Sequence, residues 1–401
     1  MDEIRPIRAR SGTNQEAASA HNRRVVIEAL RLNGSLSRAD LARATHLTKQ
    51  TVSNIVEELQ RDGLVAAQDV VRKGRGQPST PYALVADGAF AIGLQIDRHV
   101  TRAIAVNLAG EMLARAEAPL PQGGPSHGIE VVLGLVERVR AELASARPHS
   151  PTRLIGLGVA MPGPFGLDGA DDNAWMMASW QKFPLAETLA ARTGLGVSLQ
   201  NDAAACAIAE RMVGAAHGLD HAVCLYLGYG IGAGLILDGE LYSGSNGNAG
   251  EIGMALLSPR GSDRIPLEHR ASLAALYGPL GLDPADSALP ARLEALTRQG
   301  HPKINAWIAE ASEDMRWSIQ LIENVLDPQT VILTTGTVPA LARRLVDATH
   351  PLLPSLADRA GRRLPRFQLG IVDPWSVPIG AAAEPIGRAF TPRLSAILKH
   401  A

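Results

Sequence analysis

The sequence predicts an α/β protein with a small helical head at the N-terminus and two α/β lobes around a cleft. Three observations predict it. Apolar residues at helical spacing recur in three segments before residue 63, and two short β-type runs follow. From Phe90 the pattern changes to three closely spaced strands, then to alternating helices and strands. That order returns in the second half of the chain, which indicates two lobes of one plan.

A flexible basic tail is expected over 1–18 and the head over 19–87. Val25, Val26, Ala29, Leu30 and Leu32 form a first helical stripe from near Ser19, stopped by Asn33-Gly34. Ser37 precedes a second helix, RADLARATH, with Leu41 and Ala42 inward. Thr48 caps a third, TKQTVSNIVEELQRDG, in which Val52, Ile55, Val56 and Leu59 share a face and Gly63 is the stop. LVAAQDVV and TPYALV read as strands flanking RKGRGQPS, a hairpin with a basic tip. Three helices and a basic wing make a winged helix-turn-helix, whose third helix docks its N-terminal residues in a DNA major groove. Thr48, Lys49, Gln50, Thr51, Ser53 and Asn54 are therefore the candidate readers. Gln50 and Asn54 can pair bidentately with adenine, and Lys49 can meet guanine or phosphate. Arg72, Lys73, Arg75 and Gln77 in the wing suit phosphates or a narrow A·T minor groove.

The first lobe is expected over 88–200, completed by a C-terminal helix within 378–401, and the second over 201–377. AIGLQID, TRAIAVNL and EMLARAEAPL are its opening strands. The loop PLPQGGPSHG precedes the helix IEVVLGLVERVRAELASA, and the strand RLIGLGVAM ends in a Pro-Gly loop. VSLQND leads into the helix AAACAIAERMVGAA. HAVCLYLGYG and GAGLILDG restart the pattern, and a long helix from Lys303 to Leu326 precedes the buried-type strand TVILTTG. The last helix, from Ile379 to about Ile397, is apolar enough to pack back on the first lobe.

Composition bounds the function classes. Hydrophobic residues make up 46% and charged residues 20% of the 401, the balance of a soluble globular protein. No apolar run approaches the ~18 residues of a membrane span, and MDEIRPIRARSGTN lacks the apolar core of a signal peptide. Two cysteines, Cys206 and Cys224, make no disulfide framework, so a cytoplasmic protein is expected. The net charge of −1 hides an asymmetry: residues 1–85 hold 13 Lys or Arg against 9 Asp or Glu. A basic head on an acidic body fits a head that meets phosphate and a body that does not.

SRADLA with TVSNIVEEL, GRGQP, GVAMPGP, QNDAAA, LGYGIGAGLILDG, GNAGEIG and IPLEHRAS follow one another in this order. Together they resemble the ROK family (repressor, open reading frame, kinase), over about Asn22 to Phe390. The resemblance implies an actin-like ATPase (ribonuclease H-like) sugar-kinase fold for the body. It also implies a homodimer or dimer of dimers and, with the DNA-binding head, a regulator of carbohydrate genes. Where family kinases carry the phosphate hairpin Asp-x-Gly-Gly-Thr, this chain has Asp97-Arg98-His99-Val100-Thr101. Glycines let backbone amides approach phosphate, and the side chains of His99 and Val100 are expected to occupy that space. The adenosine loop is Thr334-Thr335-Gly336. Gly228, Gly230, Gly232 and Gly234 remain, either as a phosphate loop or as a tight strand turn. The family's zinc cysteines are replaced by Pro259, Gly261 and Pro266, and its histidine by Met254. Neither zinc nor ATP is expected as a cofactor, and no residue is assigned a catalytic role.

Asn201 and Asp202 fall where a strand ends and a helix begins, a common place for a ligand cleft in α/β folds. Read alone, Asp202 is a helix cap. The resemblance makes it a contact for sugar hydroxyls, together with Asn201, Glu251 and Glu268, and with Gly163 as a backbone contact. The function expected is a sugar-responsive regulator that binds double-stranded operator DNA, a repressor released by a sugar or sugar derivative. A sugar kinase with a DNA-binding head and a sugar-dependent activator share these motifs.

Overall fold

The computed structural model of the chain describes residues 15–69, 79–166, 177–257 and 265–390. The head comprises α1 (Gln15–Asn33), β1 (Ser35–Ser37), α2 (Arg38–Thr45), α3 (Lys49–Arg61), β2 (Val65–Ala67) and β3 (Pro81–Leu84). Ser37 accepts the amide of Asp40 and Thr48 that of Thr51, so each helix start has a donor satisfied by a side chain. Val52, Ile55, Val56 and Leu59 are buried on one face of α3. Helix α1 begins at Gln15, earlier than its apolar stripe. Strand β1 lies where the sequence pattern offers only a turn. It pairs antiparallel with β3, and the head's sheet runs β1-β3-β2. Three residues are too few for a periodic signal; pairing with a distant segment creates this strand. Strand β2 ends at Ala67, short of the expected Val71, and Arg72, Lys73, Arg75 and Gln77 lie outside the described residues.

The first lobe continues with β4 (Phe90–Ile96), β5 (Val100–Asn107), β6 (Met112–Pro119), α4 (Pro125–Ala146), β7 (Leu154–Met161), α5 (Ala178–Lys182), α6 (Leu185–Thr193) and β8 (Val197–Asn201). Helix α4 starts at Pro125 rather than Ile129, because proline is preorganised for the first helical position. The second lobe holds α7 (Asp202–Val213), β9 (Ala222–Leu227), β10 (Ile231–Leu237), β11 (Glu240–Tyr242), β12 (Leu256–Leu257), β13 (Ile265–Pro266), α8 (Glu268–Ala271) and α9 (Leu273–Leu280). It closes with α10 (Leu289–Arg298), α11 (Pro302–Leu326), β14 (Thr330–Thr335), α12 (Pro339–Thr349) and β15 (Phe367–Val372). Helix α13 (Ser376–Phe390) returns to the first lobe and starts three residues before the expected Ile379; its expected continuation to Ile397 lies outside the described residues.

The two main sheets share one plan. Their orders are β6-β5-β4-β7-β8 and β11-β10-β9-β14-β15. In each, the first three strands are antiparallel neighbours and the last two join in parallel. Every residue of β4 is buried, because α4 covers one face of its sheet and α13 the other. Helices α7 and α13 pack on each other between the sheets through small side chains, among them Ala203, Ala205, Cys206 and Ala381. The outer face of the second sheet meets α9, α11 and α12 through Leu225, Leu276, Trp307, Ile319 and Leu341.

The head is docked on the body. One apolar cluster joins Leu30, Val56 and Leu59 of the head to Leu108, Trp375 and Ile386 of the body. Arg24 Nε donates to the carbonyl of Ala389 at 3.3 Å. Among the described residues, no helix is long and apolar enough to cross a membrane.

Candidate functional site

The third helix presents its polar face outward. Thr48, Lys49, Gln50 and Asn54 are exposed, and Thr51 and Ser53 are half-buried at the edge of the same face. Gln50 Nε2 donates to Asn54 Oδ1 at 2.9 Å, so the two amides hold each other one helical turn apart. The hydroxyls of Thr48 and Thr51 share a hydrogen bond of 2.8 Å at the helix start.

The second site forms where β8 runs into α7. Asn201 is the helix cap: its Oδ1 accepts the amides of Ala203 at 2.7 Å and Ala204 at 3.4 Å. Asp202 is the first helical residue, and its carboxylate also accepts the Ala203 amide, at 2.8 Å. With the capping role taken by the Asn201 amide, the Asp202 carboxyl beside it is surplus to the helix. Asn201 Nδ2 donates to Glu251 Oε1 at 3.0 Å, tying the end of the first sheet to the loop after β11. Gly163 packs against this pair. A Cβ there would stand 2.7 Å from Asn201 Nδ2 and closer still to Glu251 Oε1, so only glycine leaves the pair intact. Glu268 opens α8 and lies against Gly230, where a Cβ would stand 2.7 Å from Glu268 Oε2. Asn248 bonds both the amide and the carbonyl of Phe165 at 2.8 Å, locking the Gly163 loop to the loop that carries Glu251. The structure thus brings Asn201, Asp202, Glu251, Glu268 and Gly163 together.

It also adds Arg98, a residue with no expected role from its sequence context. The amide of Asp97 donates to Val100 O at 3.0 Å and closes a two-residue turn, Arg98-His99, between β4 and β5. The bulk in this turn comes from Arg98 and His99, since Val100 already belongs to β5. The Arg98 guanidinium stands 3.6 Å from Asp97 and 5.2 Å above the Tyr229 ring, and the His99 ring centre is 5.3 Å from that ring. Tyr229 belongs to the second lobe's turn between β9 and β10, so both side chains bridge the lobes. A charged residue inside a hairpin of glycine type was the signal available in the sequence; its approach to Tyr229 depends on tertiary structure.

The carboxyls of the cleft are unusually hard to ionise. Burial, then the nearby Asp97, pushes Asp202 up to about 7, against the pull of Arg98. Burial, then Asp202 and Glu268, likewise pushes Glu251 up to about 7. Glu268 is raised by burial, opposed by Arg98. Asp202 and Glu251 gain and lose protons near neutrality, so that the cleft offers hydroxyl-rich ligands both donors and acceptors. A stability consequence follows. Asp202 is easier to protonate folded than unfolded, so its contribution is full at low pH and is lost as pH rises through about 7. Asp202→Asn should therefore match the wild type near ~pH 4 and melt higher near ~pH 8, by about 1–3 kcal/mol of stability. Thermal melts across this range check it; a constant offset at all pH values refutes it.

Thr334 and Thr335 are fully buried and face inward: Thr334 Oγ1 donates to Glu210, and Thr335 Oγ1 to Leu227 O, both at 2.6 Å. Met254 is 47% exposed. Pro266 lies in β13, whereas Pro259 and Gly261 fall outside the described residues. Among the described residues, no three His, Cys, Asp or Glu converge as metal ligands.

Comparison with known proteins places this geometry. The profile described as ROK family matches residues 91–361, and that described as MarR family matches residues 25–76. The xylose repressor of Caldicellulosiruptor bescii is 24% identical over 332 residues, covering 78% of this chain and 82% of that protein. The DNA-binding transcriptional dual regulator NagC of Escherichia coli is 25% identical over 268 residues, covering 67% of this chain and 63% of that protein. A crystal structure of a ROK family transcriptional regulator, a homolog of the E. coli MLC protein, superposes with a TM-score of 0.71 at 20% identity, covering 93% of this chain and 97% of that one. A ROK family glucokinase from Streptomyces griseus, in complex with glucose and AMPPNP, gives 0.57 at 22% identity, covering 74% and 99%. The fold is a helix-turn-helix head followed by a two-lobed actin-like kinase-fold body. With more than half of its length matched by that one profile, the chain belongs to the ROK family.

Proposed function

We propose that this chain is a sugar-responsive transcription regulator that binds operator DNA and represses carbohydrate uptake or catabolism genes. In this reading it works in the cytoplasm as a homodimer or dimer of dimers, with neither zinc nor ATP. One observation carries the reading. A DNA-reading head sits on a body whose cleft keeps Asn201, Asp202, Glu251 and Glu268, while Arg98 and His99 fill the turn that a nucleotide phosphate would approach. A sugar held by both lobes favours one lobe arrangement, and only such a difference in affinity can shift the heads off their half-sites. Trp317, Leu321 and Val325, exposed at four-residue spacing on α11, support self-association. The relatives' names make xylose and N-acetylglucosamine the first sugars to try. Gel shifts on the protein's own promoter fragment with and without a sugar panel test the reading: release by one sugar is expected, and retention with every sugar counts against it.

A second reading has one observation in its favour. An Asp202 carboxyl raised to about 7 is what a general base needs at neutral pH, as in a sugar kinase. ATP turnover with the same panel separates the two. The expected result is no ADP release above the sugar-free blank. Release that Asp202→Asn abolishes would establish the kinase.

A further inference from the structure

Helix α7 has its two ends in different parts of the molecule. Its first turn carries Asp202, beside the capping Asn201, in the cleft. Its last turn carries Arg211, whose Nη2 donates to Glu28 Oε1 of α1 at 3.4 Å. Glu28 is 6% exposed and is also gripped by Arg31, through Nε to Oε2 at 2.8 Å and Nη2 to Oε1 at 2.6 Å. A helix of 12 residues is a rod of about 18 Å, stiff over that length. Beside it lies a cavity of about 700 Å³, open from Asn201 to Arg211 and walled by α1, α13 and the β10–β11 segment. The face of α7 that carries Ala204 and Ile208 therefore borders open volume, while its other faces pack on α13, β9 and β10. Its far end borders the same cavity but is tied to α1, because parting Arg211 from Glu28 takes one of two half-buried arginines away from a buried carboxylate, which is unfavourable. Helix α1 in turn packs on α2 and α3.

We propose that the Glu28–Arg31–Arg211 cluster is the link through which the state of the cleft reaches the DNA-reading head, with Glu28 as the positioning residue. The proposal rests on the function proposed above and specifies how its one site regulates the other. A link of this kind has a thermodynamic consequence: a change at Asp202 alters DNA affinity only while Glu28 is intact.

The test uses the full chain and needs no effector. The duplex is the tightest one that the wild-type protein recovers from a random library. Its affinity, and amide exchange along α1 and α3, are measured for the wild type, Asp202→Asn, Glu28→Gln and the double variant. Glu28→Gln keeps the side chain's shape, and Arg211→Lys serves as a second breaker of the link should Glu28→Gln fail to fold. Asp202→Asn is expected to change duplex affinity by about fivefold or more, with altered exchange in α1. In the Glu28→Gln background that change should fall within about twofold. Equal changes in both backgrounds, or no change in either, overturn the link. D-xylose, D-glucose and N-acetyl-D-glucosamine are then added to the wild type. If none moves duplex affinity while the cycle still shows coupling, the sugar assignment fails and the link stands.

Discussion

Replacing Gln50 with alanine should weaken binding to the preferred duplex by roughly 1–3 kcal/mol and leave random DNA almost unaffected. Its side chain is exposed on α3 and is held by Asn54 at 2.9 Å. Because each amide orients the other, Asn54→Ala should cost a similar amount and the double variant less than the sum. Arg72→Ala and Arg75→Ala should behave differently. If these wing residues meet phosphates, both duplexes are bound more weakly and the salt slope falls by about one for each phosphate pairing removed. If Arg75 enters a narrow minor groove, A·T-rich flanks suffer more than G·C-rich ones. Fluorescence anisotropy on preferred and random duplexes at several salt concentrations distinguishes these outcomes. Equal losses for Gln50→Ala on the two duplexes would show that α3 is not the sequence reader.

In the cleft, Asp202→Ala and Glu268→Ala should each lose about 1–3 kcal/mol of sugar affinity and, with it, the sugar response. Glu251→Ala should lose at least as much, because it also frees Asn201 Nδ2 from its 3.0 Å partner. Duplex binding in the absence of sugar should survive in Glu268→Ala, whose carboxyl is carried by α8 and not by α7. Calorimetry with the sugar identified by gel shift is the measurement. Unchanged affinity in all three variants would remove these carboxyls from the ligand.

Much of the fold and of the cleft was legible in the sequence, for reasons specific to particular residues. Val52, Ile55, Val56 and Leu59 announce a buried helical face by spacing, and Thr48 announces its start; both signals are local, and both stand in the structure. The cleft set was legible through motif order, with Asn201 and Asp202 in QNDAAA, Glu251 in GNAGEIG and Glu268 in IPLEHRAS. What remained hidden depends on distant partners. Strand β1 exists because β3 pairs with it. Whether Asn201 or Asp202 caps α7 is settled by side-chain geometry, not by residue type. Arg98 gains its place only when Tyr229 arrives from the other lobe.

The meeting of Arg98 with Tyr229 has a wider implication through the shared plan of the two sheets. Strands β4 and β5 occupy the same places in the first sheet as β9 and β10 in the second. The turns that follow β4 and β9 are therefore counterparts: Arg98-His99 in one lobe, and the Gly228-Tyr229-Gly230 stretch in the other. They meet where Arg98 and His99 of one turn contact Tyr229 of the other. Two copies of one turn, pressed together, leave a single shared volume for side chains. Bulk gained on one turn has to be matched by smallness on the other. Across related chains the sizes of residues at these two turns should therefore vary in opposite directions, and a chain that is bulky at both should hold its lobes further apart.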